Sequence, residues 1–205
     1  TGKELISSWE ETDQTMHDTF VSNVELMVKE TLYKFGSLDI LVNNAGIAGY
    51  KLFTDITDED WDVITVQQVS QNSGMPSTYG NLPNILEYIN ENKTNDDAKI
   101  FWHMTWAYQQ TSSHSGFANY NKDQMTMYNA ICSTTKSEIL TNDAFDLVVP
   151  SGTAIQNMRT SSIGDTLTAD GYHLNVKACV IAGYTYYVTL KGEPVDSIHY
   201  HPASY

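Results

Sequence analysis

Short apolar runs alternate along this chain with longer stretches in which apolar residues recur every three or four positions. The short runs predict strands at residues 38–43, 62–67, 98–105 and 144–149. The helical spacing predicts helices at residues 22–35, 82–92, 122–140 and 176–190. Strands that alternate with helices are typical of a parallel sheet with helices on both faces. The pattern therefore predicts one α/β domain over residues 1–205, with a sheet of about four to five strands.

Glycine and proline residues mark several of the predicted helix ends. Gly36 and Gly192 each follow the last apolar position of a helix, where a left-handed residue commonly ends the helix. Pro83 stands in the first turn of the helix at residues 82–92, where its missing N–H removes no hydrogen bond. These signals predict helix boundaries that the apolar spacing alone leaves open.

Polar loops are predicted after three of the strands, at residues 68–80, 106–116 and 151–159. In a parallel sheet the loops that follow the strands meet at one edge, where α/β proteins build their sites. Hydroxyl, amide and aromatic side chains there suit a polyhydroxylated or ester-bearing small molecule, although the same residue types are also ordinary loop formers. The candidate oxyanion-hole and substrate-binding residues are Gln67, Gln68, Ser70, Trp106, Tyr108, Gln109, Ser151, Thr153, Asn157 and Arg159.

Asp170 and His173 are the candidate catalytic residues. They stand three positions apart, just before the last predicted helix. An Asp that orients a His is the base half of a nucleophilic triad, whereas the same spacing in a solvated turn has no chemical role. Arg159, the only arginine of the chain, is either a structural tie to a carboxylate or a ligand contact. His103, inside a predicted strand, is interpreted as a packed core residue.

The charge and composition exclude several classes of partner. The 11 Lys and Arg against 25 Asp and Glu give a net charge of −14, which disfavours nucleic acid because phosphate binding needs a basic surface. No stretch approaches the ~18 apolar residues of a membrane span. The 41% hydrophobic content predicts a soluble globular chain. No signal peptide is recognised, so the bacterial cytoplasm and secretion both stay open as its compartment.

Cysteine and histidine spacing predicts no cofactor and no metal. Cys132 and Cys179 fall in helical patterns and are expected to be buried free thiols, with a disulfide as the alternative. His199 and His201 lack a third ligand at suitable spacing, so no metal is assigned. We accordingly expect the protein to work without either.

Several blocks between residues 61 and 192 resemble a bacterial branch of the SGNH, or GDSL-like, hydrolase superfamily. The blocks are Trp-Asp-Val-Ile-Thr-Val-Gln-Gln-Val-Ser at residues 61–70, Trp-His-Met-Thr-Trp-Ala-Tyr-Gln at 102–109, Asp-Gln-Met-Thr-Met-Tyr at 123–128, Pro-Ser-Gly-Thr-Ala-Ile-Gln-Asn at 150–157, Gly-Asp at 164–165 and Asp-Gly-Tyr-His-Leu at 170–174. The resemblance implies ester hydrolysis and a flavodoxin-like, three-layer α/β/α fold. It implies that His173 is the general base, with Asp170 in the same Asp-x-x-His block. It also implies that Gln67 and Gln68 lie where the superfamily usually places an oxyanion-hole Asn.

The nucleophile of that superfamily is a serine in a Gly-Asp-Ser or Gly-Asn-Ser block after the first strand, and residues 1–60 contain no such block. Residues 18–62 instead resemble the middle of short-chain dehydrogenases/reductases. The matching motifs are Phe-Gly-Ser-Leu-Asp-Ile-Leu-Val-Asn-Asn-Ala-Gly-Ile at residues 35–47 and Thr-Asp-Glu-Asp-Trp at 57–61. The glycine-rich cofactor loop of that family is absent from the sequence. Tyr88 and Lys93, like Tyr172 and Lys177, are five positions apart, whereas the Tyr-x-x-x-Lys pair of the family is four apart. We interpret the chain as a chimera with a reductase-like segment at residues 1–60, an SGNH-like body at 61–192 and a tail at 193–205.

Three functions stay open on the sequence. The first is an esterase or deacylase that acts on a small-molecule or carbohydrate ester. The second is a ligand-binding module without catalysis, and the third is an NAD(P)-dependent short-chain reductase. None of them involves nucleic acid or a membrane. A second copy of the chain could supply the missing nucleophile, which would make the protein a homo-oligomer.

Overall fold

The computed structural model describes residues 40–41, 62–93 and 95–192, together with residues 194 and 196. The chain divides into two compact units, residues 1–40 and residues 41–205, and all the helices described below belong to the second. The predicted helix at residues 22–35, most of the reductase-like segment and most of the tail lie outside the described residues.

A sheet runs through the described part of the chain. Its strands are β1 (Ile40–Leu41), β2 (Val63–Val66), β3 (Lys99–His103) and β4 (Leu147–Val149), in the order β1-β2-β3-β4. β3 pairs in parallel with β2 on one side and with β4 on the other. Each strand falls within a predicted one, and the prediction of an α/β fold with a parallel sheet is confirmed.

Helices connect and follow the strands of this sheet. The α-helices of the described residues are α1 (Leu82–Asn92), α2 (Gln124–Thr134), α3 (Ser151–Arg159) and α4 (Val176–Lys191). Short 3-10 helices lie at Ser70–Asn72, Pro76–Thr78 and Ser115–Tyr120. α1 has the predicted bounds, and α4 ends at Gly192, whose left-handed φ of 65° is typical of a helix end. None of the described helices is long and apolar enough to cross a membrane.

The predicted helix at residues 122–140 is divided into two parts. Asn121 and Lys122 have positive φ angles of 56° and 54°, which an α-helix does not accommodate, so α2 begins only at Gln124. The helix then changes to π-helical geometry at Thr135–Ile139. Both changes concern the backbone, so an apolar period that continues through residues 122–140 does not reveal them.

Helices cover both faces of β3. Trp102 belongs to the main buried core, together with residues of α1 and α2 such as Leu86 and Ile131. Phe101 points to the opposite face because successive strand residues alternate, and its ring lies 6.4 Å from the ring of Tyr186 on α4. The sheet therefore lies between two helical layers, which explains why its central strand carries large aromatic side chains on both faces.

The prediction of a loop at residues 151–159 is wrong, because these residues form α3. The buried residues of α3 recur at helical spacing and are Ser151, Gly152, Ile155, Gln156 and Arg159. Apart from Ile155 they are polar or lack a side chain, so the inward face of this helix produces no apolar period. Polar side chains can be buried in this way because they find hydrogen-bond partners in other parts of the fold.

The two cysteines are free thiols. Cys132 on α2 is half-buried, and Cys179 on α4 is exposed. The expectation of buried thiols is therefore wrong for Cys179, whose helix turns this position away from the core.

Candidate functional site

Asp170 and His173 form a hydrogen-bonded pair, called here the Asp–His pair, on the stretch that leads into α4. The Oδ2 atom of Asp170 lies 2.6 Å from Nδ1 of His173. The other carboxylate oxygen, Oδ1, accepts hydrogen bonds from the backbone N–H groups of His173 at 2.8 Å and of Tyr172 at 3.1 Å. Backbone donors thus hold the carboxylate, and the carboxylate holds the imidazole.

These hydrogen bonds fix the charge of Asp170. Desolvation raises the pKa of Asp170, but the hydrogen bonds from His173 and Tyr172 together outweigh it and lower this pKa to about 2. Asp170 is therefore an ionised acceptor at neutral pH, so Nδ1 of His173 donates the proton of the bond between them. In the neutral imidazole this tautomer leaves a lone pair on Nε2, which is the atom that a general base uses.

The surroundings of His173 leave room for a reacting molecule. The His173 side chain is 70% exposed. No hydroxyl group of the described residues forms a hydrogen bond with its Nε2 atom. Nor do three or more His, Cys, Asp or Glu side chains of these residues form a group that could hold a metal ion. The arrangement thus contains an exposed imidazole and the carboxylate that orients it, and no hydroxyl of the described residues is bonded to that imidazole.

Two hydrogen bonds join the Asp–His pair to the loop that follows β3. The Trp106 Nε1–H group donates to the carbonyl of Tyr172 at 2.8 Å. The Gln109 backbone N–H donates to the carbonyl of Gly171 at 2.9 Å. Two of the predicted binding residues, Trp106 and Gln109, therefore lie beside the candidate catalytic residues.

A second histidine, His103, belongs to a buried network that the sequence analysis missed. Its Nδ1 atom lies 3.0 Å from Gln67 Oε1, and its Nε2 atom lies 2.8 Å from Ser151 Oγ. Because an amide oxygen only accepts, Nδ1 carries the proton and Nε2 accepts the Ser151 hydroxyl proton. The three residues stand at the ends of β2, β3 and β4, and the network ties these strand ends together. Ser151 has no exposed surface, so it does not meet a substrate in this conformation.

The burial of His103 predicts a loss of stability in mild acid. Burial lowers the pKa of His103 from its ordinary 6.5 to about 4. At a pH between these two pKa values, His103 binds a proton in the unfolded chain but not in the folded chain. The contribution of His103 to the free energy of unfolding therefore falls by about 3 kcal/mol as the pH falls through this range. Urea unfolding measured between pH 7 and pH 4 checks this, and His103→Gln should show a shallower dependence. An equally steep dependence in both proteins would contradict the assignment.

Two other predicted residues, Gln68 and Ser70, stabilise the loop after β2. The Gln68 Nε2–H group donates to the carbonyl of Thr78 at 3.2 Å. The Ser70 hydroxyl lies 2.9 Å from the hydroxyl of Tyr108, a residue with no exposed surface. Gln68 also lines a small cavity at the end of β2, which it shares with Gln67. These side chains lie at the predicted sheet edge, but their hydrogen bonds do not involve the Asp–His pair.

Thr153 and Asn157 are placed differently on α3. Thr153 accepts a hydrogen bond from the Tyr128 hydroxyl at 3.3 Å, which links α3 to α2. Asn157 is exposed, so its side-chain amide faces solvent. The sequence analysis expected these two side chains to lie with Ser151 in one loop. Residues 151–159 form a helix instead, so the three side chains are not grouped in that way.

Arg159 is buried, with an ion pair at Nε, whose geometry is not that of a hydrogen bond, and hydrogen bonds at Nη1 and Nη2. Its Nε atom lies 2.9 Å from Asp165 Oδ1, and only 3% of its side chain is exposed. Nη1–H donates to Gln156 Oε1 at 3.1 Å, and Nη2–H donates to the carbonyl of Ala107 at 3.0 Å. Of the two alternatives for this arginine, these contacts support the structural tie to a carboxylate.

Comparison with known proteins identifies a family for the chain that has this geometry. The model of a family described as a domain of unknown function, DUF4886, matches residues 20–205. The chain belongs to the DUF4886 family. The match includes both the Asp–His pair and the buried network around His103.

Solved structures similar to this DUF4886 chain include one from the same family. A DUF4886 protein from Bacteroides uniformis has a TM-score of 0.68 and 38% identity, over 74% of this chain and 58% of its own. A candidate SGNH hydrolase from Slackia heliotrinireducens has a TM-score of 0.43 and 17% identity, over 65% of this chain and 67% of its own. The likeness to the Bacteroides protein supports the α/β fold described above.

Parts of the DUF4886 chain are also similar to curated enzymes, among them two reductases. The peroxisomal multifunctional enzyme type 2 of Mus musculus is 52% identical over 40 residues, which are 20% of this chain and 5% of that protein. The 3-oxoacyl-acyl-carrier-protein reductase FabG of Staphylococcus aureus is 49% identical over 39 residues, 19% of this chain and 16% of its own. A hydroxy-methyl-oxo-hexahydro-indene-carboxyl-CoA reductase of Mycobacterium tuberculosis is 29% identical over 113 residues, 55% of this chain and 41% of its own. The chain thus spans less than half of these curated relatives, and the reductase resemblance is partial.

Proposed function

We propose that this chain carries the base and its orienting carboxylate for an SGNH-type hydrolase that cleaves small-molecule or carbohydrate esters. In this proposal His173 is the general base, and Asp170 sets its tautomer and orientation. The observation that carries the proposal is the 2.6 Å contact between Asp170 Oδ2 and His173 Nδ1. It leaves Nε2 as an acceptor on a ring that is 70% exposed, as a base that meets substrate from solution requires.

In the proposed reaction, Nε2 of His173 removes the proton of a hydroxyl group as that oxygen attacks the ester carbonyl. The ionised Asp170 stabilises the imidazolium, which returns the proton to the departing alcohol as the ester C–O bond breaks. Water then hydrolyses the acyl intermediate by the same proton transfers. The nucleophile is a hydroxyl group either of residues outside the described ones or of a second copy of the chain. The remaining alternative is that water attacks the ester directly.

Replacing His173 with Ala tests this proposal. We expect the rate of p-nitrophenyl acetate hydrolysis at neutral pH to fall by about a hundredfold or more, because general-base catalysis contributes about 10²–10⁴. The release of p-nitrophenol measures the rate. Lys177→Ala, at an exposed position of α4, is the matched control and should keep the wild-type rate. Equal rates for the wild type and His173→Ala would reject the proposal.

A ligand-binding module without turnover is the second candidate function. The observation that favours it is that no hydroxyl of the described residues is bonded to His173 Nε2. This candidate expects an acylated saccharide to bind saturably in a calorimetric titration, with no ester hydrolysis above that of the buffer. Hydrolysis that is lost in His173→Ala would exclude it.

A further inference from the structure

The loop that carries His173 depends on its neighbours for its geometry. Residues 169–173 form neither helix nor strand. An antiparallel bridge between Thr168 and Leu174 closes the base of this loop. Just above the bridge, the Ala169 N–H donates to the carbonyl of His173 at 2.8 Å. These contacts fix the two ends of the loop, and the part between them needs other contacts to hold its position.

Two donors from the loop after β3 hold that middle part. The Gln109 N–H bonds the Gly171 carbonyl at 2.9 Å, and the Trp106 indole N–H bonds the next carbonyl, that of Tyr172, at 2.8 Å. The loops approach closely there, because a Cβ atom on Gly171 would lie 3.1 Å from Ser112. The left-handed φ of 95° at Gly171 also favours glycine. The two carbonyls lie between the members of the Asp–His pair in sequence, so these bonds fix where the pair stands relative to the sheet.

Trp106 supplies the one side-chain donor among these two hydrogen bonds, and its ring packs against His103. Its ring lies edge-on to the ring of His103, with 6.4 Å between the centroids. His103 is held in turn by Ser151 and Gln67 at the ends of the neighbouring strands. The indole therefore connects the buried strand ends to the exposed loop of His173.

We propose that Trp106 is a positioning residue for His173. Its indole N–H, acting through the Tyr172 carbonyl, holds the Asp–His pair in one orientation relative to the sheet. This inference rests on the proposed function of His173 as the general base. The sequence analysis expected Trp106 to bind substrate. In the structure the one hydrogen-bonding group of its indole is instead used by the protein itself.

Trp106→Phe tests the inference, because it removes the donor and keeps an aromatic ring. We expect kcat for p-nitrophenyl acetate to fall about tenfold to a hundredfold while KM changes by less than about threefold, since a misplaced base affects the chemical step more than binding. Trp102→Phe is the matched control. Trp102 is buried on β3, and its indole forms no hydrogen bond with the described residues. The Trp102→Phe variant should therefore keep the wild-type kcat.

A spectroscopic measurement separates positioning from a general loss of structure. The contact with Asp170 keeps the proton of neutral His173 on Nδ1, and nitrogen-15 chemical shifts of the imidazole show which nitrogen is protonated. The His173 signal is identified by its loss in His173→Ala. We expect Trp106→Phe to move part of the population to the Nε2–H tautomer, whereas Trp102→Phe keeps the wild-type signal.

The outcomes distinguish this inference from the proposed function. An unchanged His173 signal in Trp106→Phe overturns the inference, whether or not kcat falls, because the pair is then positioned without the indole N–H. A wild type without hydrolytic activity rejects the proposed function, and the nitrogen-15 signal still decides the positioning role. If Trp106→Phe does not fold, β-(3-benzothienyl)alanine at position 106 keeps the bicyclic shape and lacks the N–H group, and the same two results apply to it.

Discussion

Replacing Gly152 with Ala is expected to destabilise the fold by about 4 kcal/mol or more, because overpacking alone costs about 1–3 kcal/mol and overlap with backbone costs more. A Cβ atom on Gly152 would overlap the carbonyl oxygen of Thr105 and lie 2.9 Å from its carbonyl carbon. These are backbone atoms, so no side chain can rotate away to make room. The Gly152 N–H also donates to the Met104 carbonyl at 3.0 Å, which ties the start of α3 to the end of β3.

Gly183→Ala is the matched control for this substitution. Gly183 lies within α4, and a Cβ atom there meets nothing within 4 Å. Because Ala favours a helix over Gly, this variant should be as stable as the wild type or more stable by up to about 1 kcal/mol. Urea unfolding of both variants measures the difference. Wild-type stability in Gly152→Ala would contradict the close approach of α3 to the loop after β3.

The helices that could be predicted are those whose inward faces are apolar or whose ends are marked by single residues. α1 buries Leu82, Leu86 and Ile89 at helical spacing, and its predicted bounds are the observed ones. α3 could not be found in this way, because Ser151 and Arg159 on its inward face are polar. Their burial depends on partners 48 and 52 positions away in the sequence, and a local pattern contains no information about such partners.

In the candidate site, as in the helices, the local contacts could be predicted from the sequence and the long-range contacts could not. The contact between Asp170 and His173 is local, so their spacing of three positions is enough to suggest it. The network around His103 joins residues from three strand ends. Its only sequence signal is that each of them stands within two positions of a predicted strand end. The role of Trp106 gave no signal, because its partner is a backbone carbonyl 66 positions away. A sequence therefore reveals a reactive pair more readily than the contacts that orient it.

Replacing Arg159 with Met is expected to lower the free energy of unfolding by about 3 kcal/mol, because removing one partner of a buried ion pair costs about 3–5 kcal/mol. The substitution leaves the carboxylate of Asp165, which is 30% exposed, without its cation. The partial exposure places the expected cost at the lower end of that range. Arg159→Met also removes the donor to the carbonyl of Ala107, a residue with no exposed surface. An unsatisfied buried carbonyl adds to the cost because no water replaces the lost donor.

Lys99→Met is the matched control, since it also removes the cation of an ion pair. Lys99 Nζ lies 3.3 Å from Asp146 Oδ1, but 59% of the lysine and 37% of the aspartate side chain are exposed. Exposed pairs contribute about 0–1 kcal/mol, so Lys99→Met should unfold at nearly the wild-type urea concentration. Equal, small losses in both variants would contradict the structural role of Arg159. The alternative, in which this arginine serves a ligand, would then be the one to test, by comparing ester binding in the wild type and Arg159→Met.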